Sequence, residues 1–197
     1  MDSTKSLTHD GGGDTTGLAN IVKWALRKYS ADPARVFLTG ISSGCLMSNV
    51  MAATYPDLFA AASCYAGAPA GCFAGSGGSS ANSTDGVCLN GRNIKTPTEW
   101  AGVAHAMYPG YTGPYPRFQT WHGDADELVS YQNFGEELKQ WSALHGVSHT
   151  QNVTDTPVVG TTRIEFGDGT KVVGYSVKGG THVLPMQEVV DLEWFGL

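Results

Sequence analysis

The sequence predicts an α/β fold, a largely parallel sheet covered by helices on both faces, and three observations predict it. Short apolar runs of strand length alternate with stretches of helical periodicity along the chain. One such run, Arg35-Val36-Phe37-Leu38-Thr39, leads through Gly40-Ile41-Ser42-Ser43-Gly44 into Cys45-Leu46-Met47, the order of strand, tight turn and helix. With 197 residues, 41% hydrophobic and 15% charged, the chain can bury one real core. No internal repeat or linker divides it, so residues 1–197 are expected to form one domain.

The elements follow in order. Asp14 is placed to cap a helix running to about Tyr29, with Leu18, Ile21, Val22, Ala25 and Tyr29 on one face. The preceding Gly11-Gly12-Gly13 lacks the Lys-Ser/Thr ending of a phosphate loop and reads as a flexible lead-in. A strand over 35–39, the serine turn 40–44 and a helix over 45–54 come next, and Tyr55-Pro56 ends that helix. Residues 60–65 form a small-residue strand, 67–96 a long loop and 98–107 a helix. A Pro- and Tyr-rich turn region, 108–116, leads to a strand over 117–121. The helix 131–145 carries Phe134, Leu138 and Trp141 on one side. Residues 161–166 and 171–177 flank Gly167-Asp168-Gly169 as a hairpin, and Pro185 starts a final helix with Val189, Leu192 and Phe195.

A net charge of −6 with no basic block excludes a nucleic-acid partner, because phosphate contacts need clustered Lys and Arg. No apolar stretch approaches membrane-spanning length, and the polar start Met1-Asp2-Ser3-Thr4-Lys5 is not a signal peptide. Two acceptor sequons, at Asn82 and Asn152, lie in loop-like surroundings. Cys72 and Cys88 bracket a Gly- and Ser-rich loop of the kind a disulfide pins, whereas Cys45 and Cys64 read as buried free thiols. Sequons and a crosslink point to an oxidising, extracellular setting.

The serine turn supplies a nucleophile in search of a base. A hydroxyl is a poor nucleophile at neutral pH unless a histidine, oriented by a carboxylate, takes its proton. Ser42, the middle residue of the glycine-flanked pattern, is preferred to Ser43. In doubly wound hydrolases the acid and then the base follow, each on a loop after a strand. The loop after 117–121 offers Asp124 and Asp126, and the residues alone leave both open. The loop after 171–177 offers His182. His122 is expected to support the acid's loop through a backbone hydrogen bond. His145 and His149 read as solvated, and His9 and His105 show no partner. No pair of His or Cys residues has metal-ligand spacing backed by a third ligand, so neither a metal nor a cofactor is expected.

Five motifs in order resemble the fungal acetylxylan esterases: Gly40-Ile41-Ser42-Ser43-Gly44, Tyr55-Pro56-Asp57-Leu58-Phe59-Ala60-Ala61, Tyr108-Pro109-Gly110-Tyr111-Thr112-Gly113-Pro114, Trp121-His122-Gly123-Asp124-Ala125-Asp126 and Gly180-Thr181-His182-Val183-Leu184-Pro185. These belong to a carbohydrate esterase group that includes feruloyl esterases and is similar to polyhydroxybutyrate depolymerases. The resemblance spans the chain and implies an α/β-hydrolase fold with Ser42 as nucleophile, Asp126 as orienting acid, His182 as base and the Ser43 N–H as an oxyanion donor. It further implies acetylated xylan as substrate, secretion, a monomer and a Cys72–Cys88 pairing in keeping with that habit. Members of the group carry a further segment before the equivalent of Thr8-His9-Asp10-Gly11, with the first strands and the second oxyanion donor. The chain is therefore expected to be a truncated form whose strand 35–39 stands at an apolar edge.

Two other readings compete. A feruloyl esterase differs only in its acyl pocket. A non-catalytic carbohydrate-binding protein would use Trp100, Tyr108, Tyr111 and Tyr115 as stacking platforms.

Overall fold

A computed structural model describes residues 3–74 and 86–197. After a short turn of helix, α1 (Ser3–Ser6), comes α2 (Asp14–Tyr29). Gly13 rather than Asp14 is its N-cap, and the Asp14 N–H donates to Ser6 Oγ at 3.0 Å. At its far end Ser30 closes the helix in the left-handed region. The chain then makes a 3-10 turn, Pro33–Arg35, which Asp32 caps by accepting from the Ala34 N–H. That turn consumes the start of the expected strand 35–39, so β1 runs Phe37–Ile41 and α3 begins directly after Ser42, at Ser43–Thr54.

Next are β2 (Ala61–Tyr65), the short α4 (Gly86–Leu89) and α5 (Pro97–Met107). A reciprocal pair of hydrogen bonds between Thr96 and Glu99 caps α5, with proline in its first turn. β3 (Arg117–Gly123) and α6 (Gln132–His145) follow, and Gly146 ends α6 in the left-handed region. The chain finishes with β4 (His149–Thr154), β5 (Thr161–Phe166), β6 (Val172–Val177) and α7 (Glu188–Phe195).

The sheet order is β1-β2-β3-β6-β5-β4. β1, β2, β3 and β6 are parallel neighbours; β5 and β4 join antiparallel. The sequence pattern missed β4. It pairs with β5 and is exposed on nearly every residue, so it carries no apolar alternation. Consequently Asn152 lies on an exposed outer strand, not in a loop, while Asn82 lies outside the described residues. α7 starts at Glu188, three residues after Pro185.

Alternation along the parallel strands divides the core between two faces. Ala62, Cys64, Phe118 and Val172 point at α3 and α6, where they meet Phe134, Leu138 and Trp141. Ala61, Tyr65, Trp121, Val173 and Tyr175 point at α7 and meet Leu184 and Trp194. Asp191 of α7 is pinned beneath the sheet by Ser63 Oγ (2.6 Å), Gln119 Nε2 (2.7 Å) and Tyr65 OH (2.8 Å), all donating to its carboxylate. α2 packs on α3 through Ala19, Met51, Tyr55 and Phe59, while Ile21, Trp24 and Tyr29 stay exposed. Among the described residues the outer edge of β1 has no ladder partner.

Candidate active site

Because β1, β3 and β6 are parallel, the loops that follow them emerge at one rim of the sheet. Ser42 follows β1 at φ 55° and ψ −120°, a strained conformation for a side-chain-bearing residue. The strain is held from two sides: the Ser42 N–H donates to Tyr65 O (2.9 Å) and its carbonyl accepts from the Leu46 N–H (3.0 Å). Gly40 makes the turn possible, since a Cβ there would run into the backbone of Gly44. Gly44 itself faces open space, so only the first glycine of the pattern is sterically demanded by the surrounding atoms.

The loop after β3 carries Asp124 and Asp126, and the loop after β6 carries His182. Their backbones touch at Gly123 and Gly180, where a Cβ on Gly123 would collide with the Gly180 carbonyl. The contact is tied by Ala125 N–H to Gly180 O (3.0 Å) and Asp124 N–H to Val177 O (3.0 Å). Asp124 accepts from the Gly179 N–H at 2.6 Å and so clasps the two loops together. Asp126 turns inward instead. Its Oδ2 lies 2.8 Å from His182 Nδ1, and its Oδ1 accepts from the Leu128 and Val129 N–H groups at 2.9 Å each. His182 Nε2 lies 2.9 Å from Ser42 Oγ. The hydroxyl, the imidazole and the Asp126 carboxylate form one hydrogen-bonded line across 140 residues of chain.

Burial alone would raise the Asp126 carboxyl, but the bonds from His182, Val129 and Leu128 outweigh it and hold it below the usual carboxylate range. The Asp126 side chain is fully buried and that of His182 is 14% exposed, so the imidazole reaches solvent while the carboxylate that anchors it does not. Ser43, exposed at the start of α3, presents its N–H at the end of the helix where backbone donors are unpaired.

Other expectations met different surroundings. His122 does hold its loop, with Nε2 2.9 Å from Val129 O, and it also lies 3.2 Å from Asp126 Oδ2. His145 is half-buried against Pro116 O, and His9 stacks on Tyr108 while bonding Thr54 O at 2.6 Å, so neither is solvated or without a partner. The aromatics considered as sugar platforms are largely packed away: Trp100 is fully buried and bonds Glu136, and Tyr108 is stacked between His9 and Tyr111. Cys72 and Cys88 are joined in a disulfide; Cys45 and Cys64 are free and buried.

The fold also makes a cluster that spacing did not reveal. Cys45, Cys64 and Glu137 bring their ligand atoms within 4.8 Å of one another, because α6 lays Glu137 against the start of α3. Asn49 Nδ2 occupies the middle of the group, 2.7 Å from Glu137 Oε1 and 3.5 Å from Cys45 Sγ, so an amide fills the place a cation would need.

A family model described as esterase PHB depolymerase matches residues 4–166. Feruloyl esterase B of Talaromyces stipitatus is 45% identical over 196 residues, which are 100% of this chain and 55% of that protein. Acetylxylan esterase A of Emericella nidulans is 45% identical over 202 residues, 100% of this chain and 64% of that protein. The solved acetyl xylan esterase from Aspergillus awamori superposes with a TM-score of 0.90 at 42% identity, covering 99% of this chain and 71% of that one. The chain thus spans between about half and two thirds of the length of these curated relatives. A match across most of its length, with relatives at such identity, means that the chain belongs to the esterase PHB depolymerase family.

Proposed function

We propose that the chain is a serine esterase that removes acetyl groups from acetylated xylan. The observation that carries the reading is the line from Ser42 Oγ through His182 to Asp126, with contacts of 2.9 and 2.8 Å. In the first half-reaction Ser42 Oγ attacks the acetyl carbonyl while His182 Nε2 takes the hydroxyl proton. Asp126 holds the other ring nitrogen and stabilises the imidazolium. The Ser43 N–H is aimed to donate to the carbonyl oxygen as it becomes negative. Collapse breaks the bond to the sugar oxygen, which takes the proton from His182 and leaves an acetyl-enzyme. In the second half-reaction His182 deprotonates water and the hydroxide attacks the acetyl carbonyl; collapse breaks the bond to Ser42 Oγ, which takes the proton back from His182 as acetate leaves.

Substrate choice rests on the relatives. Two of them carry the names feruloyl esterase B and acetylxylan esterase A at the same 45% identity, so release of a bulkier aromatic acid is the competing reading. An extracellular setting is supported by the Cys72–Cys88 disulfide and by the sequon at Asn152 on an exposed outer strand. No helix among the described residues is long and apolar enough to cross a membrane. The protein is proposed to act as a monomer on the polysaccharide.

The test is release of acetate from acetylxylan, measured beside release of ferulate from a feruloyl ester. Acetate is expected to dominate, an organophosphonate to add covalently to Ser42, and Ser42→Ala to lower kcat by at least about ten-thousand-fold. Ferulate release in excess of acetate selects the competing reading. Absence of both labelling and turnover sinks the esterase itself.

A further inference from the structure

We propose that His122 is a positioning residue for the acid: a neutral imidazole with its proton on Nε2, it donates to Asp126 and limits how much of that carboxylate's charge is available to His182. The inference rests on the proposed roles of Ser42, His182 and Asp126. A carboxylate has four good acceptor positions; hydrogen bonds take three of those in Asp126, and His122 Nε2 stands within reach of the fourth. Oδ1 takes the Leu128 and Val129 N–H groups, and Oδ2 takes His182 Nδ1 at 2.8 Å and His122 Nε2 at 3.2 Å. The same His122 nitrogen lies 2.9 Å from Val129 O, so one N–H is shared between the carbonyl and the carboxylate and closes the loop around the acid.

The protonation state follows from what surrounds the ring. His122 is fully buried, with the rings of Tyr131 and Phe134 set edgewise against it. Its Nδ1 has no hydrogen-bond partner among the described residues. A proton on Nδ1 would be an orphaned buried donor and would leave the Nε2 lone pair facing two oxygens, both unfavourable. Burial likewise pushes His122 below the usual histidine range, against the smaller opposing effects of Val129 and Asp126. The titratable groups near it are Asp126 and His182 themselves. Asp124 and Glu127 share its loop but are exposed, and Lys178 beyond β6 is exposed too. From α6, Glu137 is turned to Thr120 and Asn49, and Glu136 to Trp100 and Lys139. The hydroxyl of Tyr131 donates to Ser176.

Charge that Asp126 shares with His122 is not offered to His182. Removing the donor leaves the carboxylate to grip His182 alone, which favours the imidazolium and displaces the acid limb of kcat/KM to higher pH. The experiment compares the parent chain, His122→Phe and His122→Gln on p-nitrophenyl acetate; the glutamine amide nitrogen reaches where Nε2 sits. His122→Phe is expected to lower kcat/KM by about ten- to a hundred-fold, the scale of a displaced catalytic group. It is also expected to raise the acid limb by about half a pH unit, the scale of one weak hydrogen bond to the carboxylate. His122→Gln is expected to restore both. A loss of melting temperature in His122→Phe with an unmoved acid limb overturns the proposal, as does a folded His122→Gln whose limb moves. A parent that hydrolyses nothing refutes the esterase reading instead. The ring titration of His182 followed by NMR in parent and variant then decides the role of His122, and equal midpoints sink it.

Discussion

Asp124 and Asp126 stand two residues apart on one loop, and the fold gives them different work. Asp124 accepts a single backbone N–H from Gly179 and holds two loops together, whereas Asp126 is buried and bonds His182. Asp126→Asn is accordingly expected to cost about ten-thousand-fold in kcat, because an amide at that place favours the wrong imidazole tautomer. Asp124→Ala, which removes the acceptor, is expected to leave kcat within about tenfold and to lower the melting temperature, the signature of one lost hydrogen bond. Similar losses of kcat for both would show that Asp126 is not the carboxylate that orients His182. Ser42 and His182 could be read from the sequence because each sits in a local pattern, glycine-flanked on one side and following the last strand on the other. Local pattern left the choice between two carboxylates open, and only the resemblance implied Asp126, since the choice depends on which way each side chain turns after the loop closes against Gly180.

Between elements, the polar group that matters is Glu137. From α6 it accepts from Thr120 Oγ1 of β3 and from Asn49 Nδ2 of α3, and it is fully buried beneath the helix that follows Ser42. Burial pushes its carboxyl up to about 7, although the bonds from Thr120, Asn49 and Cys45 pull the other way. A carboxyl raised in the folded state holds its proton more tightly folded than unfolded. Its contribution to stability is therefore complete below the ordinary value and is lost as pH rises through about 7, with a slope of at most about 1.4 kcal/mol per pH unit. Glu137→Gln is expected to flatten the fall in urea midpoint across this window. An unchanged fall would show that the group does not titrate there. Helical periodicity put α6 in place and could not reveal this contact, because Glu137 looks like any charged residue on an amphipathic helix. β4 escaped for the opposite reason: its hydrogen bonds to β5 hold it, and burial does not. β1 moved two residues because a local turn at Pro33 outcompeted the first apolar positions.

For the molecule as a whole, alternation of strands and helices was enough to foresee a parallel sheet with covered faces. The strand order was not foreseeable, since β6 enters between β3 and β5 through contacts far apart in sequence. That insertion is what carries His182 to the rim beside Asp126. β1, the strand that leads into Ser42, stands at the outside of the sheet, as expected from the sequence, and its Phe37 lines one hollow with Ile21 and Tyr29 of α2. The four cysteines give a way to watch this architecture open. Two are tied to each other, and the remaining pair, Cys45 and Cys64, is sealed at 0% exposure between α3 and β2. A colorimetric thiol reagent is thus expected to find nothing to react with in native buffer and two equivalents in denaturant. Slow colour at intermediate denaturant then counts how often the wall between α3 and the sheet breathes. Prompt stoichiometric colour from the native protein would mean that the wall is not closed.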